Sequence, residues 1–513
     1  MQVQIDKKYI WFPVQMGAGR EKVSIFLAGE DPVKLFEFDL PVVSERVDFY
    51  SALCVEDYLG ETLSISVDFP VEGIGSLAFF DVEPIAEAGC RPMLHFAAQS
   101  GWINDPNGLF SRDGIFHMYF QYNPYDTKWG NMHWGHAVST DLIRWKQEKT
   151  VLFPDENGTV FSGSALLDKE NRTGHGWNTI LFFYTAAGGT NEWSRSRKFI
   201  QKMAYSTDGG MTLCKDPDFQ IGSIERENRD PKVFYHEKTH AFIMVLFLGG
   251  NDFGIFRSES LDKWEMTQRL TLKGGWECPD LFELPVEGTD QTCWIFRTAD
   301  GFYFTGVFDG FRFNSTREFQ RAFIGSVPYA AQTFSGVSGR VLSVSWLRIS
   351  PEGKTFSGIM SVPCVLSLVR TENGLKMRNS LPLELISRRS GRARIRISEA
   401  GRHNAACIAD QPYEIHVSFC TGTLGSACLY FGSHTLFINF EKNLIITEKQ
   451  EILFERGCAL DIDLLVDYDV IELRAQQDTL YYVYENKNQN LSGAIDLDME
   501  FPGEADISVY DIK

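Results

Sequence analysis

Four stretches of the chain enter a strand in the same way. N-D-P-N-G-L-F (104–110), F-S-G-S-A-L-L (161–167), R-D-P-K-V-F-Y (229–235) and E-C-P-D-L-F-E (277–283) align position by position. Each leads through a polar turn into a strongly apolar run: GIFHMYFQY, TILFFYTA, HAFIMVLFLG and TCWIFRT. A fainter fifth copy starts at YAAQTF (329–334) and continues into RVLSVSWL. A second element, AVSTDLIRW (137–145), AYSTDGGMTL (204–213) and FRSESLDKW (256–264), recurs later in the units and reads as a turn at the blade edge. Repeats of several strands at spacings of roughly 50 to 65 residues are what propeller blades look like in sequence. Five units predict a five-bladed β-propeller over residues 92–365. The first strand of each blade lines the central channel of a propeller, so matching positions near its start converge on the axis. Those positions hold Asp105, Ser162, Asp230 and the Glu277-Cys278 pair.

The flanking regions are also strand-like, with short apolar or alternating runs broken by Gly, Asn, Asp and Pro. Residues 1–88 offer KYIWFPV, KVSIFLA, VKLFEFDL, VDFYSALCV and TLSISVDF, and VEPIAEAGCRP then reads as a connector. Beyond 366 come YEIHVSF, ACLYFG, TLFINF and TLYYVYE. The expected architecture is therefore all-β: an N-terminal β-rich accessory domain (1–88), the propeller, and a linker with a C-terminal β-sandwich (366–513). A length of 513 residues agrees with two or three domains.

A net charge of −19 disfavours binding to nucleic acid or to an anionic membrane surface. A neutral partner such as a sugar meets no such repulsion. The most apolar stretch, AFIMVLFLGG (241–250), is too short to span a bilayer. Ten scattered cysteines without a CxxC pair suit reduced, mostly buried thiols. The N-terminus, MQVQIDKKYIWF, shows no basic segment followed by an apolar one, and a cytoplasmic location is expected.

A single Asp before a strand is usually just an Asx-turn. A structural device should recur in every unit, however, and here acids occupy three matching positions while others carry Ser or Ala. Carboxylates facing one another across a polar channel suit retaining glycoside hydrolysis, with a nucleophile and a protonated acid about 5 Å apart. Repulsion and burial raise one acid's pKa so that both forms coexist near neutral pH.

The stretches Trp102-Ile103-Asn104-Asp105-Pro106-Asn107-Gly108, Arg229-Asp230-Pro231 and Glu277-Cys278 carry a family resemblance. FQYNP (120–124), WGNMHWGHAVSTDLIRW (129–145), FSGSA (161–165) and YAAQTF support it. Together they resemble glycoside hydrolase family 32, the β-fructofuranosidases, invertases and fructanases. LLVDYDVIELRAQ (464–476) is similar to a sandwich strand pair of that family. The resemblance implies that Asp105 is the nucleophile at the anomeric carbon of a fructosyl unit and Glu277 the general acid/base. Asp230 would bind fructose hydroxyls and stabilise the transition state. Asn104, Gln121, Trp129, Phe161, Ser162, Arg229 and Trp346 would shape the sugar pocket. Cys278 is counted with them, although a small buried thiol beside Glu277 accounts for it more simply.

No cofactor and no metal are implied: His133 and His136 in MHWGH (132–136) lack the HExxH spacing. The chain departs from the family at Val327-Pro328-Tyr329-Ala330, where relatives tend to show Asp-Phe-Tyr-Ala, and at Val362-Pro363-Cys364-Val365-Leu366. These departures touch the leaving-group side and the propeller–sandwich junction. The expected activity is retaining, exo-acting release of terminal fructose from sucrose, fructo-oligosaccharides or fructans. Fructosyl transfer, endo-action and non-catalytic fructan binding stay open as alternatives. Residues 1–88 are read as a packing or assembly module, and homo-oligomer formation stays open.

Overall fold

Turn residues at short intervals leave the chain little room for helices, and strands dominate from end to end. The computed structural model describes residues 1–513 apart from 45, 68–76, 86–90, 317–318, 421, 423, 457–458, 489 and 501. Part of the expected connector, residues 86–90, thus lies outside the described residues. Among the described residues no helix is long and apolar enough to cross a membrane.

Five antiparallel meanders follow one another through the middle of the chain. Their first strands are Gly101–Arg112, Thr159–Asp168, Arg229–His236, Asp280–Pro285 and Pro328–Thr333. Each pairs with the apolar strand that follows it, as the repeat predicts. The first strand of the second blade lies against those of the first and third. That of the fifth lies against those of the fourth and the first. Apolar side chains of the third and fourth blades, among them Phe247 and Phe296, share one core, which closes the ring, and the fold is a five-bladed β-propeller followed by a β-sandwich. Closure is reinforced where Phe356–Ser357 adds in parallel to Gly101 and Trp102, and where Ser335 exchanges backbone hydrogen bonds with Leu109 and Ser111.

The fifth blade corrects one expected boundary. Val341–Leu347 pairs with Cys364–Thr371, which pairs with Gly374–Ser380, so the blade runs past residue 365. The intervening segment, which carries the closing strand, separates the blade's halves in sequence. Residues 366–380 are therefore blade, not linker. Beyond them, two six-stranded sheets enclose a core that includes Ile415, Leu429, Ile462 and Leu497.

Among the described residues, strands between Gln2 and Phe80 form a four-stranded and a three-stranded sheet over a core of Ile10, Phe12, Val23, Phe38 and Leu63. Tyr125 from the propeller completes that core, stacked on Phe38 at 3.8 Å between centroids. The N-terminal domain is thus seated beside the segment that joins the second and third strands of the first blade.

Candidate active site

The ladder slips at the start of four of the five first strands. Register shifts separate Ile103 from Pro106, Val160 from Gly163, Arg229 from Lys232 and Tyr329 from Gln332. A β-bulge leaves residues unpaired and re-aims their side chains. The bulges contain Asn104-Asp105, Phe161-Ser162, Asp230-Pro231 and Ala330-Ala331. In the fourth blade the matching residues, Glu277 and Cys278, precede the paired strand. Asp230, Glu277, Cys278 and Ala330 all take positive φ (64°, 31°, 43° and 49°), a conformation that costs side-chain-bearing residues energy and collects at functional sites. Beside Ser162, a Cβ on Gly163 would meet the Phe183 carbonyl oxygen at 1.8 Å, so only glycine lets the bulged strand approach its neighbour this closely.

These strand starts surround a cavity of about 450 Å³, within the range of small-molecule sites. Asn104, Asp105, Gln121, Trp129, Phe161, Ser162, Arg229, Asp230, Glu277 and Trp346 line it, as the sequence leads one to expect. Cys278 does not. Its Sγ lies 3.4 Å from Asp105 Oδ2 and 3.5 Å from Asp230 Oδ2, in a small pocket with Pro106, Gly163 and Ala331. The left-handed turn at Cys278 tucks the thiol between the two acids, so its expected place among sugar contacts is corrected to a bridge between them. Burial, then the surrounding carboxylates, pushes the thiol's pKa well up and keeps it protonated as a donor.

Three donors converge on Asp105. Ser162 Oγ–H reaches Oδ2 at 2.6 Å, Asn104 Nδ2–H reaches Oδ1 at 3.1 Å, and the Cys278 thiol reaches Oδ2. Trp102 Nε1–H orients Asn104 through its Oδ1 at 3.0 Å. Burial, reinforced by the charge of Glu277, still holds the Asp105 carboxyl above its ordinary value. Asp230 is pushed up to about 7 by burial, with Arg229 opposing and the charges of Glu277 and Asp105 adding. Its Oδ2 accepts from the Cys278 backbone N–H at 3.1 Å, and its own N–H donates to Thr185 Oγ1 at 3.1 Å.

Glu277 is clamped at both oxygens. Arg229 Nη2 donates to Oε2 at 2.8 Å, and the Tyr329 hydroxyl donates to Oε1 at 2.6 Å. Arg229 lies over the Phe247 ring, and its Nε is 3.7 Å from Asp230 Oδ2, so one guanidinium serves two acids. Burial and the Glu277 charge raise the Tyr329 phenol, which stays a neutral donor. The Arg348 guanidinium lies 3.5 Å from the centroid of that ring.

Tyr329 and Arg348 also line the cavity, and neither was singled out as a site residue from sequence. Tyr329 begins the faint fifth repeat copy, for which no axial residue was named from the sequence. Arg348 follows the end of the strand Val341–Leu347, and its guanidinium lies 5.6 Å from the Trp346 ring centroid. Beneath the site, Asp280 is buried between Lys232 (3.3 Å) and Arg297 (3.1 Å). His133 and His136 bond within the first blade instead: His136 Nε2 faces His117 Nδ1 at 3.0 Å, and His133 meets the Asn131 carbonyl. Among the described residues no group of three or more His, Cys, Asp or Glu is placed to hold a metal ion.

With this geometry in place, the comparisons with known proteins agree on one family. The model described as "Glycosyl hydrolases family 32 N-terminal domain" matches residues 95–379. A levanase of Bacillus subtilis is 34% identical over 364 residues, covering 64% of this chain and 53% of that protein. An extracellular exo-inulinase of Meyerozyma guilliermondii is 36% identical over 293 residues, covering 50% and 55%. An invertase of Debaryomyces hansenii is 35% identical over 298 residues, covering 52% and 54%. The matches thus span about half the length of these curated relatives. Among solved structures, an exo-inulinase of Aspergillus awamori superposes with a TM-score of 0.73 at 21% identity, over 82% of this chain and 98% of that one. A β-fructofuranosidase of Schwanniomyces occidentalis complexed with fructosyl-erythritol gives 0.72 at 23%, over 83% and 98%. These last two establish the fold. The word "extracellular" in a relative's name gives no support to the cytoplasmic expectation.

Proposed function

The chain belongs to glycoside hydrolase family 32, and from that premise we propose that it releases terminal β-D-fructofuranosyl units from sucrose, fructo-oligosaccharides or fructans by double displacement. One observation carries the reading: Asp105, Asp230 and Glu277, from three blades, line one cavity, each with partners suited to a different task. Asp105 is the nucleophile. Its three donors support the carboxylate against burial, and attack at the anomeric carbon of fructose forms a covalent fructosyl–enzyme. Glu277 gives its proton to the leaving oxygen. Arg229 and Tyr329 hold the Glu277 carboxyl in place, and the carboxylate formed by that transfer then takes a proton from the attacking water. Asp230 accepts from fructose hydroxyls and faces the positive charge that develops on the ring.

The division of labour is part of the same proposal. The propeller, extended to residue 380, carries the chemistry, and residues 1–88 form an accessory domain packed on it. Incubation with sucrose and with inulin- and levan-type chains, followed by product analysis, tests the reading. Free fructose formed from the outset, with its anomeric configuration retained by NMR, is the expected result. Longer oligosaccharides growing at high sucrose would instead make the protein a transferase. Short oligomers appearing before fructose would mean endo-action. Tight fructan binding with no product, unchanged by Asp105→Asn, would leave only a binding protein.

A further inference from the structure

A second cavity, of about 340 Å³, lies where the N-terminal domain meets the first two blades. Both of its walls are tied down. Arg20 donates to Asp126 Oδ2 at 2.6 Å and to the Trp129 carbonyl at 3.1 Å. Asn131, at a positive φ of 45°, exchanges two hydrogen bonds of 2.8 Å with the backbone of Asp39. On the other wall the Trp193 backbone N–H donates to Glu37 Oε1 at 2.9 Å, and Lys34 lies over the Trp193 ring. The hollow is therefore built by strands and braced loops, and it exists before any ligand arrives.

Its chemistry narrows the ligand. Arg20, Lys22, Glu37 and Asp39 line it from one sheet of the N-terminal domain, and Glu192 and Arg195 from the second blade, where they pair at 2.6 Å with Glu192 also 3.7 Å from Lys22. Three cationic and three anionic side chains leave no net charge to select an ion, and the outer edges of such ion pairs can both donate to and accept from a neutral molecule rich in hydroxyls. Trp129 lines both this hollow and the acid cavity, and it stays 52% exposed. An aromatic wall beside polar groups suits a sugar, whose ring has apolar C–H faces and polar edges. One indole shared by two sugar-suited hollows makes them neighbouring stations on one path.

We propose that the hollow between the N-terminal domain and the first two blades is a distal sugar subsite. It takes the hydroxyl-rich residues on the leaving side of an oligosaccharide whose terminal fructosyl unit occupies the acid cavity. This rests on the fructoside reading above and adds to it a preference for chains longer than a disaccharide, conferred by the N-terminal domain.

The test compares sucrose, which needs only the acid cavity, with the tetrasaccharide nystose and a longer fructan. Two variants are used: Asp39→Ala combined with Arg195→Ala, which removes polar lining and leaves the Asp39 backbone pairing intact, and Lys22→Trp, which fills the hollow. Each hydrogen bond removed from a ligand weakens binding severalfold. The expected result is a loss of about tenfold in kcat/KM on the longer substrates, mostly in KM, with sucrose turnover within about twofold of wild type. Equal losses on all substrates, or no loss on any, would overturn the subsite and leave the hydrolase reading standing. Should the wild type cleave no fructoside, the hydrolase reading fails by itself, and calorimetry then decides the subsite. Nystose binding more tightly than fructose, with the difference lost in both variants, supports it, and equal affinities overturn it.

Discussion

In the proposed mechanism the Ser162 hydroxyl helps to govern the pH at which Asp105 becomes available as the nucleophile, and Ser162→Ala isolates that effect. The O–H donates to Asp105 Oδ2 at 2.6 Å in a site where burial already holds the carboxyl above its ordinary value. A hydrogen bond to a charged group is worth about 1.5–3 kcal/mol. It is made to the carboxylate, so its loss penalises the ionised form alone. At about 1.4 kcal/mol per pH unit, the Asp105 pKa should climb by a further one to two units. The direction follows from the role. Attack needs ionised Asp105, whose folded-state pKa is raised, so activity disappears as the pH falls through that value, and raising it further moves the acid limb toward neutrality. The assay is kcat/KM for fructose release from sucrose between about pH 3.5 and 8, read beside wild type. The acid limb should move up by about one to two units while the variant approaches wild-type rates at the alkaline end. A limb that stays put or moves down would refute the assignment of Ser162 as support for an ionised Asp105. So would a uniform loss at every pH, which would make the hydroxyl a sugar contact alone.

Other perturbations separate the remaining roles. Asp105→Asn should cut turnover by about a thousandfold or more on every substrate, whereas Glu277→Gln should hurt poor leaving groups most; fructosides with graded leaving groups distinguish the two. Tyr329→Phe deletes the donor on Glu277 Oε1 and should lower kcat about tenfold on sucrose and less on an activated fructoside, read by steady-state kinetics. Asp230→Asn should abolish activity yet stabilise the fold at neutral pH. The native state keeps the Asp230 proton up to about pH 7 whereas the unfolded chain loses it at about pH 4, so stability falls as the pH rises between the two, and the variant escapes that cost. Calorimetric Tm values should coincide near pH 4 and diverge in the variant's favour by pH 7. Asp280→Asn should destabilise by about 3–5 kcal/mol in denaturant titration, because Lys232 and Arg297 are left buried without their counter-charge.

Much of the site was legible in the sequence because the repeat is local. A polar turn, a bulge and an apolar strand follow from residues within a few positions of one another, and alignment of the copies brought out Asp105, Ser162, Asp230 and Glu277 together. Tyr329 was legible in the same way, as the start of the faint fifth copy, and went unassigned because that copy carries no acid. Arg348 was hidden because it lies just past the strand that ends at Leu347, where the chain breaks from the fifth blade before returning at Cys364. The same break placed the expected end of the propeller at 365 when the sheet continues to Ser380.

By itself the sequence determined which segments become strands, that the middle of the chain repeats, and which residue types arrive at each blade start. Turn chemistry and the period-two pattern are properties of neighbours along the chain. The tertiary structure alone decided which side chains share a space. Cys278 lies between Asp105 and Asp230, Arg229 reaches both Glu277 and Asp230, and Tyr329 clamps Glu277 only because the ring closes. The N-terminal domain stands beside Trp129 because Tyr125 plugs into its core, a contact between two apolar surfaces far apart in the chain. Such contacts depend on how whole sheets pack, and packing is decided by burial across the entire molecule.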